Sequence, residues 1–307
     1  MRHAFLIIAH NNWWQLKKLI EALDYENHDL YVHIDKKSKD FDVTYFNNAT
    51  KKSKLTFYTE FCVFWGGYSQ VQVELFLLEK ARAKHYDYYH IISGADLPLK
   101  NNMNMDKFFE INKGKEFILY DEKALIENPE ILRRTKYYHF LQDYRRRYKQ
   151  KWKNDFFTFC ERVLLVLQII FHVNREKGLE WKIKYGSNWV SITDDLVTVV
   201  LENKGKIKKI FSYTNCADEL FIQTIAYNCG FRDKIYEPFN KNQAGNVRFI
   251  DWERGKNGNP YTFKEEDYNK LIIEGKKNDN LFARKFSELI DKKVILLMLN
   301  ELDKESN

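Results

Sequence analysis

Residues 86–100 read YDYYHIISGADLPLK. The stretch from Tyr86 to Ser93 is dense in aromatic and aliphatic side chains and too short for a helix of its own, so it predicts a strand buried on both faces. Gly94 breaks the run and Asp96 follows at the strand's end. A strand covered on both faces needs a sheet with helices on either side, and the flanking sequence supplies both. Upstream, AFLIIA (4–9), LYVHID (30–35) and LTFYTE (55–60) read as strands. An amphipathic segment from Trp14 to Leu23 and a helical run from Tyr68 to Lys84 lie among them. Downstream, EFILYD (116–121) and GSNWVSIT (186–193) read as strands, Asp194–Asn203 and Asp218–Asn228 as helices, and a last helix is expected from about Phe286. The expected class is α/β, with a mostly parallel central sheet flanked by helices.

The chain has 307 residues, of which 44% are hydrophobic and 16% aromatic, with only 12 Gly and 4 Pro; low-complexity disorder is excluded for most of its length. No repeat and no Pro, Gly or Ser-rich linker divides it, so residues 1–307 are expected to form a single catalytic domain. The one compositional break is a basic and then apolar element at about 131–173, read as an insertion. Between Ile131 and Lys153 nine Lys and Arg stand against one Asp, a charge of +8, while the whole chain carries +7. The remainder therefore sums to 7 − 8 = −1. The run VLLVLQIIFHV (163–173) that follows is too short to span a bilayer. It fits a core helix beside a solvated basic face, docking on a membrane surface, or, from charge alone, a polyanion site. Nucleic acid is not an expected partner.

The apolar run near the N-terminus is about six residues long and lacks a cleavage site, so it reads as a first strand and not as a signal. Cys62, Cys160, Cys216 and Cys229 show no metal-ligand spacing and no disulfide framework, which fits a reducing compartment. A cytoplasmic location, at the inner face of the membrane if the basic element docks there, is the expectation.

Several chemistries are set aside. Neither G-x-G-x-x-G nor G-x-x-x-x-G-K-[ST] occurs, nor G-x-S-x-G, H-E-x-x-H or paired C-x-x-C. The D-x-D match at Asp40 and Asp42 lies in a polar stretch and reads as a solvated loop. His33, His90 and His139 read as core or surface histidines, and no metal site is expected.

What remains is an ordered series: YVHIDKKS (31–38), FWGGYSQVQVELFLLEKA (64–81), YDYYHIISGADLPLK (86–100), GSNWVSIT (186–193), CADELFIQTI (216–225), RFIDW (248–252) and LFARKF (281–286). Asp35 and Asp96 close strands, where an α/β sheet places its ligand. Read alone, Glu219 fits a carboxylate at a helix start as well as a base, and the helix dipole favours the former. The series resembles the core-2/I-branching β-1,6-N-acetylglucosaminyltransferase family, which includes the peptide O-xylosyltransferases and forms glycosyltransferase family fourteen. The resemblance covers roughly residues 3–290 apart from 131–173, where only pieces such as RRTKYYHF match.

That resemblance implies a GT-A-like fold, a UDP-sugar donor, a glycan acceptor that could be lipid-linked, and inverting transfer with neither cofactor nor metal. It makes Glu219 the catalytic base and leaves Asp218 as the helix cap. Arg284 and Lys285 are implied to neutralise the diphosphate, a forked contact beside a point charge. Asp35, Trp65 and Gly66 fall where the family binds the nucleotide, Asp96 near the donor sugar, and Ser187 and Trp189 beside acceptor and donor. Trp65 and Trp189 could equally be core aromatics. Arg248, Asp251 and Trp252 are expected to hold the fold together. N-acetylglucosamine is the commoner donor across the family, while the WGG and ARKF spellings look more like the xylosyltransferase branch. A silent sugar-binding protein on the same fold, or a membrane-docked or polyanion-binding scaffold, are the rival classes.

Overall fold

The structure is a computed structural model that describes residues 1–145, 147–238, 243–256 and 258–304. Its strands are β1 (His3–Ala9), β2 (His28–Ile34), β3 (Lys54–Tyr58), β4 (Tyr88–Ser93), β5 (Asp96–Pro98), β6 (Ser191–Thr193), β7 (Arg248–Ile250) and β8 (Phe282–Arg284). The helices are α1 (Trp13–Ala22), α2 (Ser69–Arg82), α3 (Asn102–Ile111), α4 (Glu122–Glu127), α5 (Pro129–Lys136), α6 (Lys151–Ile170), α7 (Asp194–Glu202), α8 (Lys204–Phe211), α9 (Phe221–Asn228), α10 (Tyr268–Lys276) and α11 (Lys292–Lys304).

The main sheet has the order β3-β2-β1-β4-β6. β1 pairs in parallel with both β2 and β4, with Phe5 opposite Leu30 and His90, and β2 pairs in parallel with β3. Only β6 runs antiparallel, on β4. Alternation along β1 sends Phe5, Ile7 and Ala9 into one core with Leu16, Leu19 and Phe109, and Ala4 and Leu6 into a second with Val71, Leu77 and Leu78. The apolar run Ala4–Ala9 of β1 follows from burial on both faces. The chain leaves β1 toward β2 on one side and reaches β4 on the other, so the order reverses between β1 and β4. That is the position where a doubly wound sheet opens a crevice at its strand ends.

Four expectations are corrected. EFILYD forms no strand: Glu116 and Phe117 make isolated bridges to Ile235 and Ser191. Of GSNWVSIT only Ser191–Thr193 is strand, because Gly186 lies against the chain at Leu119, where a Cβ would sit 1.7 Å from the carbonyl oxygen. The last helix starts at Lys292, since Phe286 is buried and donates its N–H to Ala95. Finally, Asp218–Asn228 divides into a 3-10 turn at Ala217–Glu219 and α9.

A second small sheet, β5-β8-β7, was not anticipated. β5 is antiparallel and β7 parallel to β8, which sets Asp96 opposite Arg284. Its three-residue strands are too short to carry a period, although RFIDW and LFARKF had each been noted.

Candidate active site

Asp96 is the hinge of one half of the site. It is buried at the turn after β4, accepts the Ser93 N–H at 2.8 Å and hydroxyl at 3.0 Å, and pairs with Arg284 at 2.7 Å. The guanidinium of Arg284 also lies over the Trp189 ring, 4.6 Å from its centroid. Lys285, next in the chain, is half-buried, and burial followed by the Arg284 charge lowers its pKa. Asp35, at the end of β2, accepts the Lys37 N–H at 2.9 Å and pairs with the Lys37 ammonium at 3.1 Å. His10, just past β1, joins these ends. Burial lowers its pKa first, and it feels the charges of Asp35, Lys37, Lys285 and Arg284. Two carboxylates and three cations therefore converge at the strand ends.

The other half is built on residues 215–219. Gly66 has φ +75°, and a Cβ there would stand 2.8 Å from the Asn215 side chain, so the WGG turn needs glycine both for its backbone and for its closeness. The Gly66 carbonyl accepts the Cys216 N–H at 2.8 Å, and its N–H donates to Gln70. Gln70 in turn donates to Asp218 at 3.1 Å, and Asn188 does so at 3.3 Å. Asp218 is thus a buried post and not the cap of α9, which has no side-chain cap. Burial, and then the neighbouring Glu219 charge, raises its pKa. Glu74, fully buried on α2, is raised well above the ordinary value by burial and by the Asp218 charge.

Glu219 does not cap a helix either. Its side chain is 30% exposed and pairs with Arg134 of α5 at 2.5 Å. Ser187 accepts the Trp189 N–H through its hydroxyl and the Gln223 amide through its carbonyl, while Gly186 donates to the Glu219 carbonyl at 3.0 Å. The GSNW segment therefore ties the two halves together: Asn188 holds the turn that presents Glu219, and Trp189 stacks on the cation that holds Asp96.

The remaining expectations sort cleanly. Trp65 is 55% exposed, which removes the core-aromatic alternative. Arg248 is buried, bonded to Asn246, Val190 and Ser191, and Asp251 pairs with Arg254 and Lys270, so both hold the fold. Trp252 is exposed. His33 accepts the Phe61 N–H and burial takes it down to about 4; His90 is buried and bonded to Ser191; His139 pairs with Glu161. Asp40 and Asp42 stay in a loop, bonding Trp13 and Thr44. Among the described residues, His3, His28 and Asp106 are the one trio whose ligand atoms all lie within 4.8 Å, and they sit at the opposite ends of β1 and β2. Sequence reasoning missed Arg134, Lys37, Gln70 and Asn188. Arg134 is one of nine cations in its block; it lies in RRTKYYHF, the piece that resembles the family, but nothing there separates it from Arg133 and Lys136.

A parallel sheet that gathers carboxylates and cations at one set of strand ends is the layout of an enzyme acting on a charged ligand. The chain belongs to the Core-2/I-Branching enzyme family, whose model matches residues 3–274. Its class is accordingly that of the glycosyltransferases. It is 23% identical to xylosyltransferase sqv-6 of Caenorhabditis briggsae over 90% of this chain and 34% of that protein. It is 24% identical to xylosyltransferase 1 of Rattus norvegicus over 96% and 35%, and 21% identical to xylosyltransferase 2 of Homo sapiens over 97% and 33%. The chain thus spans about a third of the length of these relatives. Among solved structures it is similar to mouse xyloside xylosyltransferase 1 in the apo form, with TM-score 0.39 and 11% identity over 92% of this chain and 96% of that one.

Proposed function

We propose that the chain transfers a sugar from a UDP-sugar to a glycan hydroxyl in one inverting displacement, with Glu219 as the general base. The acceptor hydroxyl attacks the anomeric carbon on the face opposite UDP and gives its proton to the Glu219 carboxylate. As the bond to UDP breaks, the pair of electrons stays on the diphosphate, and Arg284 and Lys285 stabilise that growing charge. Ser93 and Asp96 hold Arg284 in place, and Trp189 packs on its face.

The observation that carries this reading is the GSNW segment, one end of which braces the Glu219 turn and the other end stacks on Arg284. Base and cation are then two ends of one rigid unit. Metal independence is part of the proposal. Its support is that the site supplies its own cations, and that Asp96, the carboxylate nearest them, is already engaged by Arg284 and Ser93.

N-acetylglucosamine is the donor proposed, for use in surface polysaccharide synthesis. UDP-xylose is the second reading, favoured by the curated relatives, whose names are those of xylosyltransferases. A panel of UDP-sugars assayed for binding and for slow hydrolysis tests the proposal. One preferred donor, hydrolysed by the parent and bound but left intact by Glu219→Gln, supports it. Binding without turnover by both proteins identifies a silent sugar-binding protein instead.

A further inference from the structure

Helix α6 is built inside out. Asn154, Glu161 and Gln168 are seven residues apart and so share one face of a helix that turns by about 100° per residue. Asn154 bonds the Tyr148 N–H and carbonyl, Glu161 bonds His139 and the Leu141 N–H, and Gln168 bonds the Tyr138 N–H and carbonyl. The face that holds the protein is anchored by these polar side chains, with Phe157 packed on Tyr144 and Tyr148 beside them, and Glu161 and Gln168 are the buried residues of this helix.

The opposite face is apolar and open. Trp152, Phe156, Phe159, Val163, Val166 and Ile170 follow one another at steps of four and three, which places them on the side away from Glu161. Each is more than 40% exposed, and Trp152, Phe159 and Ile170 exceed 60%. A row of six such side chains over 20 residues is far beyond the scattered apolar exposure of ordinary surfaces. Exposed cations border its start: Arg147, Lys149 and Lys151 precede or open the helix and Arg162 interrupts it, against one exposed carboxylate in the helix, Asp155. The Lys153 ammonium lies 5.5 Å from the Trp152 ring.

We infer that this face of α6 docks on an anionic lipid bilayer, lying in the interface with its apolar row among the acyl chains and its cations among the headgroups. An apolar stripe with a basic margin and aromatic residues at one end is the pattern of an interfacial helix. No described helix is long and apolar enough to cross a membrane, and the charges on α6 keep it in the plane. A second copy of the chain is a poorer occupant: a parallel two-fold contact along this row would set one basic start against the other, and an antiparallel one would lay each basic start over the partner's apolar Ile169, Ile170 and Phe171, with no counter-charge. A bilayer of acidic lipid satisfies both halves of the surface. The docked helix also adjoins the site. Through His139 and Tyr138 it grips the segment that follows α5, the helix that carries Arg134 to Glu219. An acceptor anchored in the same bilayer would approach from that side.

The test uses the full chain and sedimentation with vesicles of phosphatidylcholine containing 40% phosphatidylglycerol, against pure phosphatidylcholine. Binding to the acidic vesicles, weakened by salt, is expected. It should fall at least tenfold in Phe156→Ser/Phe159→Ser/Ile170→Ser and in Lys149→Glu/Lys151→Glu/Arg162→Glu. Because these side chains point outward, both variants should keep the parent's thermal midpoint and its donor hydrolysis, so loss of docking is read separately from loss of folding or catalysis. Absence of vesicle binding by the parent, or binding equal in parent and variants, overturns the inference. So does a stable dimer of the parent that the apolar variant dissolves, since the row would then be covered by a second copy.

Discussion

A carboxylate that is to take a proton from a substrate has to be held in one orientation and yet remain within reach, and Glu219 meets both conditions. Arg134 grips one oxygen at 2.5 Å, and the side chain keeps 30% of its exposure. Glu219→Gln preserves shape but removes the proton acceptor, so transfer should fall by roughly 10²- to 10⁴-fold with donor binding retained. Turnover near that of the parent would remove Glu219 from the role of base. On the proposed reading Arg134, which pairs with Glu219, acts on substrate through it and is a positioning residue. Arg134→Met is expected to lower kcat by up to about 10²-fold, the scale of a small misplacement, while the KM for donor stays unchanged. Arg134→Lys should restore part of the loss, because a single charge can hold the carboxylate without the fork. A change confined to KM would assign Arg134 to donor binding instead, and equal losses of kcat in both variants would mean that the fork and not the charge positions Glu219.

At the scale of elements, what the letters revealed depended on length. β1, β2, β4 and α2 carry enough residues to display a period or an apolar run, and each was legible to within two residues at most positions. Segments held by single contacts were not. Glu116 and Phe117 look like the start of a strand, but their backbone bonds go to Lys234, Tyr236 and Ser191, partners far along the chain that no local pattern announces. The 131–173 block has competing readings, and α6 answers against the core helix: its buried residues are Glu161 and Gln168, while most of its apolar side chains stay exposed. Of the arginines at 145–147, Arg146 lies outside the described residues, while Arg147 is exposed. Glu116 also supplies a prediction. Its carboxylate accepts the Thr193 N–H at 2.9 Å and hydroxyl, and burial raises its pKa from 4.5 to about 7. The folded chain then keeps a proton that the unfolded chain has lost, so this contribution is full below about pH 4.5 and is lost as pH rises to about 7. Denaturant midpoints measured across that window should decline for the parent and decline less for Glu116→Gln. Buried Asp218 and Glu74, raised in the same direction, are common to both proteins. Identical pH slopes would show that Glu116 titrates as an ordinary carboxyl in the fold.

At the scale of the whole molecule, the main sheet and the small second sheet together bring residues 250 positions apart, Asp35 and Lys285, to the same strand ends. Asp35 and Asp96 at the strand ends were legible because an α/β alternation predicts where its ligand sits. The pairing of Asp96 with Arg284 was not legible, because it depends on a second sheet of three-residue strands. Its consequence is thermodynamic. A donor that bridges Asp35, Arg284 and Lys285 joins segments from both ends of the chain, so binding should stabilise the fold as a unit. At a hundredfold excess over Kd the gain is about 2.7 kcal/mol, or roughly 4 °C in Tm for a chain of this length. If Arg284 and Lys285 supply the positive charge, as proposed, UDP is expected to produce that rise in EDTA as fully as in manganese. Glu219→Gln should keep the rise, and Arg284→Ala/Lys285→Ala should lose most of it, with the Tm of each variant measured first without ligand. A rise that appears only when manganese is restored would instead mean that the diphosphate is held through an ion, and the carboxylates of Asp35 and Asp96 would then be its first candidates as ligands.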